Sequence, residues 1–387
     1  MPGSSFEFAT AGRILFGRGR VIDAISAAKQ MGSRALLVTG RSAERTAGFE
    51  KNLADAELLG LAIRIEGEPT VPAVSHAALL ASEAGCDVVI ALGGGSAIDA
   101  GKAIAAFLTN RSDPLDYLEV IGKGRALEQA PAPWIAIPTT AGTGAEVTRN
   151  AVLASPEHHV KVSLRSPFLL APLAIVDPEL TRGLPPEVTA SSGLDALTQL
   201  IEAYVSVRAN PLTDSFCSDG LPRAARALSR AFQDGSDMDA RTDMALASLM
   251  SGLALANAGL GAVHGFAGPI GGMFAAPHGA VCAALLPHAT RVNIEALQKR
   301  QPDSEALRRY ETIARMLTGN QQAAVGELNP WLSELCGRLQ IPGLRQYGVR
   351  ESHATELCAG AARASSMKSN PIVLTNEELK EIVLRSL

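Results

Sequence analysis

A chain of 387 residues exceeds what one hydrophobic core usually organises, so two domains are expected. Hydrophobic residues make up 47% and aromatics 4%, a balance that suits closely packed helices and parallel strands better than an aromatic-rich sandwich. The formal net charge of -4, with no block of Lys and Arg, argues against nucleic acid or an anionic membrane as partner.

Residues 1–10 lack a basic region followed by an apolar core, and no segment approaches the roughly 18 uninterrupted apolar residues of a membrane span, so a cytoplasmic protein is expected. Cys86, Cys217, Cys282, Cys336 and Cys358 are odd in number, scattered, and never in a C-x-x-C pair. They read as core filler or ordinary surface thiols rather than a disulfide or zinc framework.

In chain order, ALLVT at 35–39, DVVIAL at 87–92, WIAIP at 134–138 and AIVD at 174–177 read as strands separated by amphipathic helical stretches. That alternation implies parallel pairing, and the unbroken apolarity of DVVIAL implies helices on both faces. Prolines 178, 185 and 186 then punctuate a connector. Beyond it, apolar residues recur at helical spacing over 189–207, 222–231, 239–258 and 305–316. The fold class is therefore an α/β N-terminal domain with a parallel sheet, residues 1–182, and an all-α C-terminal domain, residues 183–387.

DVVIAL runs directly into Gly93, Gly94, Gly95 and Ser96, and a helix opens there. Glycines let backbone approach a pyrophosphate, and the free amides and dipole of a helix N-terminus stabilise its charge. The run is not G-x-G-x-x-G, because Ile98 stands where the third glycine belongs. Nor is it a kinase-type P-loop, because five residues separate Gly95 from Gly101 and Ala103 follows Lys102. After WIAIP, a second polar loop carries Thr139, Thr140 and Thr143, and two such loops at strand C-terminal ends would border one crevice.

The segments GGGSAIDAGKAIA, AIPTTAGTGAEVT, GLDALTQLIEAYVS, NAGLGAVHG and APHGAVCAALLPH occur in the order and spacing of the iron-containing (group III) alcohol dehydrogenases. The chain resembles that family, which includes lactaldehyde reductase and the maleylacetate reductases, from Phe16 to the run beginning at Asn370. The resemblance implies a dehydroquinate synthase-like architecture. It also implies hydride transfer between NAD or NADP and a small alcohol or aldehyde, in a homodimer or higher homo-oligomer. By the same resemblance Gly94, Gly95 and Ser96 cradle the pyrophosphate, Thr139, Thr140 and Thr143 line the cleft, and Lys161 approaches the nicotinamide ribose. By itself Lys161 reads as a solvated charge. Where many NAD-preferring members place an acid at the end of ALLVT, this chain has Gly40, Arg41 and Ser42, which permits a 2′-phosphate and hence NADP.

Family members hold a divalent metal with an Asp, a His four residues later and two further His. Here those positions are Asp195, Gln199, His264 and His278, so one imidazole is replaced. A Gln amide oxygen is a weak donor better suited to hard cations than to Fe²⁺ or Zn²⁺. Gly268 stands where many members carry another histidine. Asp195, His264 and Lys161 are the expected catalytic residues, with the metal lowering the pKa of the alcohol oxygen. His264 and His278 taken singly also read as hydrogen-bonded core histidines.

Alternatives are a metal-free maleylacetate reductase-like enzyme, whose relatives usually lack an Asp at position 195, and a non-catalytic dinucleotide-binding protein. Dehydroquinate synthase chemistry is disfavoured because no dense Lys/Arg set lies near the metal-site residues in sequence. His76, His158, His159 and His353 read as surface residues, His288 as a family position without a ligand role, and Asn150, Asn257 and Phe266 as pocket neighbours.

Overall fold

The computed structural model describes residues 5–158 and 160–387, and the chain divides into two compact units. One comprises Thr10–Thr140 and Gly144–Thr181; the other comprises Arg182–Leu387, the short stretch Ala141–Thr143 and the residues up to Ala9.

The first unit runs β1 (Ile14–Phe16), α1 (Asp23–Met31), β2 (Ala35–Thr39), α2 (Ala43–Asp55), β3 (Leu59–Arg64), α3 (Val71–Glu83), β4 (Val88–Gly93) and α4 (Gly95–Thr109). It continues with β5 (Trp134–Pro138), β6 (Asn150–Ser155), β7 (Val160–Arg165) and β8 (Leu173–Val176). Among the described residues, six strands pair in parallel in the order β1-β8-β5-β4-β2-β3. Every residue of β2, β4, β5 and β8 is buried, as strands covered on both faces require. Strands β6 and β7 form a separate antiparallel pair in which β6 alternates half-buried and buried positions. The strand expectations at 35–39, 87–92, 134–138 and 174–177 coincide with β2, β4, β5 and β8 to within a residue.

Helix α4 lies directly against β4. A Cβ on Gly101 would come within 2.5 Å of the Ala91 Cβ, so glycine is what allows this approach. The glycine turn is thereby held at the C-terminal end of a central strand.

The second unit is helical: α5 (Pro186–Val205), α6 (Pro211–Gln233), α7 (Met238–Ala258), α8 (Ala262–Met273), α9 (His278–Arg300), α10 (Glu305–Thr318), α11 (Leu328–Arg338), α12 (Ala354–Arg363) and α13 (Asn376–Arg385). Its core is built on Leu194, Leu197, Leu200, Leu221, Leu228, Phe266 and Leu285, all fully buried. Helix α6 starts well before the expected position at 222. Asn210 caps it in a reciprocal box with Thr213, Pro211 occupies the first turn, and the helix runs through Pro222. Among the described residues no single helix is long and apolar enough to cross a membrane.

His76 and His158 are exposed, whereas His353 is half-buried and its ring lies 5.1 Å from that of Phe274, which corrects its reading as a surface residue. His159 lies outside the described residues. Phe266 is core rather than pocket lining. Asn257 clamps the backbone of Ala9, accepting from its amide at 2.8 Å and donating to its carbonyl at 3.0 Å.

Candidate active site

In the α/β unit, Gly94 is the N-cap of α4 and has no side chain to satisfy the first-turn amides, leaving them for an anion. Gly95 and Ser96 begin the helix, half-buried. The two polar loops meet. The Thr139 amide donates to the Gly93 carbonyl at 2.9 Å, and a Cβ on Gly94 would lie 3.5 Å from the Thr140 hydroxyl. Gly40 follows β2 with nothing within 4 Å of where its Cβ would be. Thr143 belongs to the helical unit, where its carbonyl accepts from Gln199.

Lys161, on β7, is 11% exposed and pairs with Glu68 at 3.0 Å, so it is a fixed charge rather than a solvated one. Lys102, near the middle of α4, is completely buried. It donates to the Thr148 hydroxyl at 2.8 Å and the Asn150 carbonyl at 2.9 Å, with Asp99 at 3.6 Å. Burial lowers the Lys102 pKa and raises that of Asp99, each opposed by the other's charge. Burial also raises the pKa of the nearby Glu146 to about 7.

In the helical unit, α5, α8 and α9 converge three of the four residues expected at a metal. Asp195 Oδ1 lies 3.2 Å from His264 Nε2 and 3.7 Å from His278 Nε2. The fourth, Gln199, turns the other way. Its amide group faces Asp195 Oδ2 at 3.2 Å and the Thr143 carbonyl at 3.4 Å. Both are acceptors, so the amino group must point there. Its oxygen then accepts from the Ser251 hydroxyl at 2.6 Å.

A residue read as core filler from the sequence joins the cluster instead. Cys282 Sγ lies 3.6 Å from His278 Nε2 and 3.7 Å from His264 Nε2. One donor atom from each of Asp195, His264, His278 and Cys282 falls within 4.8 Å of all the others. Glu202 was also missed. Its Oε2 lies 2.6 Å from His264 Nδ1, and its Oε1 accepts from the Val263 amide at 2.7 Å, satisfying a free N–H at the start of α8. Glu202 lies seven residues after Asp195 on the same helical face, a spacing that could have found it; Cys282 lies four after His278, a spacing that a core cysteine shares.

Close packing fixes these positions. A Cβ on Gly279 would come within 2.5 Å of the Ser191 carbonyl oxygen, so glycine lets the N-terminus of α9 lie against α5. Gly268 is exposed, and nothing lies within 4 Å of where its Cβ would be.

The cluster is electrostatically suited to a cation. Burial pushes the Asp195 pKa up, but His278, His264 and Cys282 outweigh it and hold the carboxyl below its ordinary value. Burial pulls His264 down, yet Cys282, Asp195 and Glu202 raise its pKa well above the usual imidazole value. Cys282 first, then Asp195, raise His278 to about 9 against burial. Buried acidic groups thus favour positive charge where the two imidazoles meet.

A parallel sheet with a glycine-capped helix in one unit, and in the other a carboxylate–imidazole–thiol cluster that could hold a metal ion, are the features expected of a dinucleotide oxidoreductase. The model of the iron-containing alcohol dehydrogenases matches residues 11–178, and that of the C-terminal part of the same family matches residues 189–387. The chain belongs to the iron-containing alcohol dehydrogenase family. It is 34% identical to alcohol dehydrogenase 4 of Schizosaccharomyces pombe, covering 99% of this chain and 89% of that one. It is 36% identical to 4-hydroxybutyrate dehydrogenase of Cupriavidus necator, covering 87% and 88%. The crystal structure of a 1,3-propanediol oxidoreductase superposes with a TM-score of 0.90 at 30% identity, covering 99% and 100%. The protein is an NAD(P)-dependent oxidoreductase acting on alcohols and aldehydes. Family membership also implies a divalent metal.

Proposed function

We propose that the chain interconverts a small primary alcohol and its aldehyde, with a divalent metal held in the helical unit and NADP accepted as well as NAD. The observation that carries this reading is the convergence of Asp195, His264, His278 and Cys282. A metal-free reductase would have no need of four metal-binding donors gathered in one buried place. A bound dication supplies an electrophile for the substrate oxygen, and the dinucleotide supplies or accepts the hydride.

The chain's own residues have distinct tasks. Gly94, Gly95 and Ser96 offer amides and a hydroxyl to the pyrophosphate at the start of α4. Thr139 and Thr140 shape the adjoining loop, and Lys161, ordered by Glu68, takes the nicotinamide ribose, a role the family resemblance supports. Glu202 keeps the His264 Nδ1 as an N–H donor, so Nε2 presents its lone pair to the metal.

The absence of an acid at Gly40, with Arg41 next in the chain, supports tolerance of a 2′-phosphate. Two of the relatives above are named for 4-hydroxybutyrate and 1,3-propanediol, both of which carry a terminal hydroxyl; this supports a short primary alcohol as substrate. The family resemblance supports a homo-oligomer working in the cytoplasm.

The test is turnover of NADPH and NADH with a panel of short aldehydes before chelation, after chelation, and after reloading with Fe²⁺, Zn²⁺ or Mn²⁺. Activity lost on chelation and restored by one metal is expected. In His264→Ala, metal-dependent turnover disappears while dinucleotide affinity stays within about twofold, because the two sites are built from different units. Full activity in metal-stripped protein would overturn the reading in favour of a metal-free reductase.

A further inference from the structure

We infer that Cys282 is the fourth metal ligand of this chain, replacing the histidine lost at position 199, and that the resulting Asp–His–His–Cys site prefers Zn²⁺ to Fe²⁺. The inference rests on the metal-assisted reading and adds the identity of the ligand and of the ion.

Four of the six donor-to-donor distances match the edges around one small ion, and the other two lie within 4.8 Å. Tetrahedral zinc with bonds of about 2.0–2.3 Å needs donor-to-donor edges of roughly 3.3–3.8 Å. The edges from Asp195 Oδ1 to the two imidazoles are 3.2 and 3.7 Å, and those from Cys282 Sγ to the same nitrogens are 3.7 and 3.6 Å. Each imidazole Nε2 is therefore flanked by both the carboxylate and the sulfur. Cys282 reaches this place because it lies one turn after His278 on α9, whose start is seated against α5 at Gly279.

Gln199 does not compete for the position. Its oxygen is taken by Ser251, and its amino group, which has no lone pair to offer a cation, faces Asp195 Oδ2. It orients the carboxylate so that Oδ1 is left for the ion. Position 199 has thus become a positioning residue, and the ligand has moved from α5 to α9.

Replacing imidazole by thiolate changes both charge and softness. Asp195 and a Cys282 thiolate together neutralise a dication, and sulfur favours zinc, while the Asp–His₃ set of the relatives is harder and leaves one positive charge.

Cobalt(II) is the probe, because it takes tetrahedral zinc sites and its spectrum reports a sulfur ligand directly. The full-length protein, stripped and reloaded with Co²⁺, is expected to show visible d–d bands together with a near-ultraviolet sulfur-to-cobalt charge-transfer band. Cys282→Ser loses the charge-transfer band and binds Zn²⁺ more than about 100-fold less tightly, beyond the loss typical of removing a residue that merely orients a ligand. Gln199→Ala keeps the band. A Gln199→His, Cys282→Ser double variant regains metal without the band and shifts its preference toward Fe²⁺; its recovery separates ligand loss from misfolding. Cobalt bound with d–d bands but no charge-transfer band in the unmodified protein overturns the role of Cys282 and leaves the metal site standing. No uptake of Co²⁺, Zn²⁺ or Fe²⁺ at all sinks the metal-assisted reading and this inference with it.

Discussion

Glu202 Oε2 lies 2.6 Å from His264 Nδ1, and the other oxygen of the same carboxylate accepts from the Val263 amide. One side chain thus meets both the His264 ring and the start of the helix that carries it. Glu202→Gln keeps the shape but removes the charge that holds the ring. Metal affinity is expected to fall about 10–100-fold, read by competition with a chromophoric chelator. Unchanged affinity would show that the ring is oriented by packing alone.

Gly94, the N-cap of α4, and Gly101, inside that helix, have different tasks. Gly101→Ala places a methyl 2.5 Å from the Ala91 Cβ and should cost about 1–3 kcal/mol in urea unfolding, as the helix is pushed off the sheet. Gly94→Ala meets only the Thr140 side chain at 3.5 Å, so the fold tolerates it. Its effect should appear in dinucleotide affinity, weakened about tenfold or more where backbone must approach a phosphate. If Gly94→Ala bound dinucleotide as well as the unmodified protein, the loop's role would be turn-making only.

Coenzyme choice is expected to turn on position 40. Gly40 has open space around its missing Cβ, so Gly40→Asp is accommodated and puts a carboxylate after β2. The substitution should lower kcat/KM for NADPH by about tenfold or more and leave that for NADH intact or improved. Equal losses for both coenzymes would place the ribose elsewhere.

Burial gives Glu146 a folded-state pKa of about 7 against an ordinary 4.5. The native state therefore keeps a proton that the unfolded chain releases. The associated stability is fully present below pH 4.5 and is lost as pH rises through about 7. Glu146→Gln removes this dependence, so its stability relative to the unmodified protein should increase between pH 5 and pH 8 by roughly 3 kcal/mol. Parallel stability curves for the two proteins would show that Glu146 is ionised throughout, paired with Lys102.

The central strands were legible because continuous apolarity bounded by turns survives as burial on both faces, and ALLVT became β2 residue for residue. The second half was read less well wherever proline occurs inside a helix. By its sequence Pro222 reads as a helix start but lies mid-helix, and helical spacing does not single out α8 and α9, which contain Pro269 and Pro287. Each of these prolines is held within long helices by tertiary packing, which a local rule does not see. The hairpin β6–β7 is not legible as continuous apolarity because its strands are only partly buried and mix polar with apolar residues. At the metal cluster, Asp195, His264 and His278 are recognisable as chemistry-bearing letters in family motifs. Cys282 is not, because an isolated cysteine in an Ala/Leu-rich helix has the same neighbours in sequence whether it faces a core or an ion.

The presence of Cys282 among these donors also exposes the protein to a chemistry that histidine ligands do not share. Sulfur passes through sulfenic to sulfinic acid, and neither has the donor properties of a thiolate. While an ion occupies the sulfur lone pairs that path is slowed; once the ion leaves, an oxidant can convert Cys282 and prevent its return. With Cys282 as the proposed ligand, the metal would protect its own binding site, and the order in which chelator and peroxide are added should decide whether inactivation is reversible.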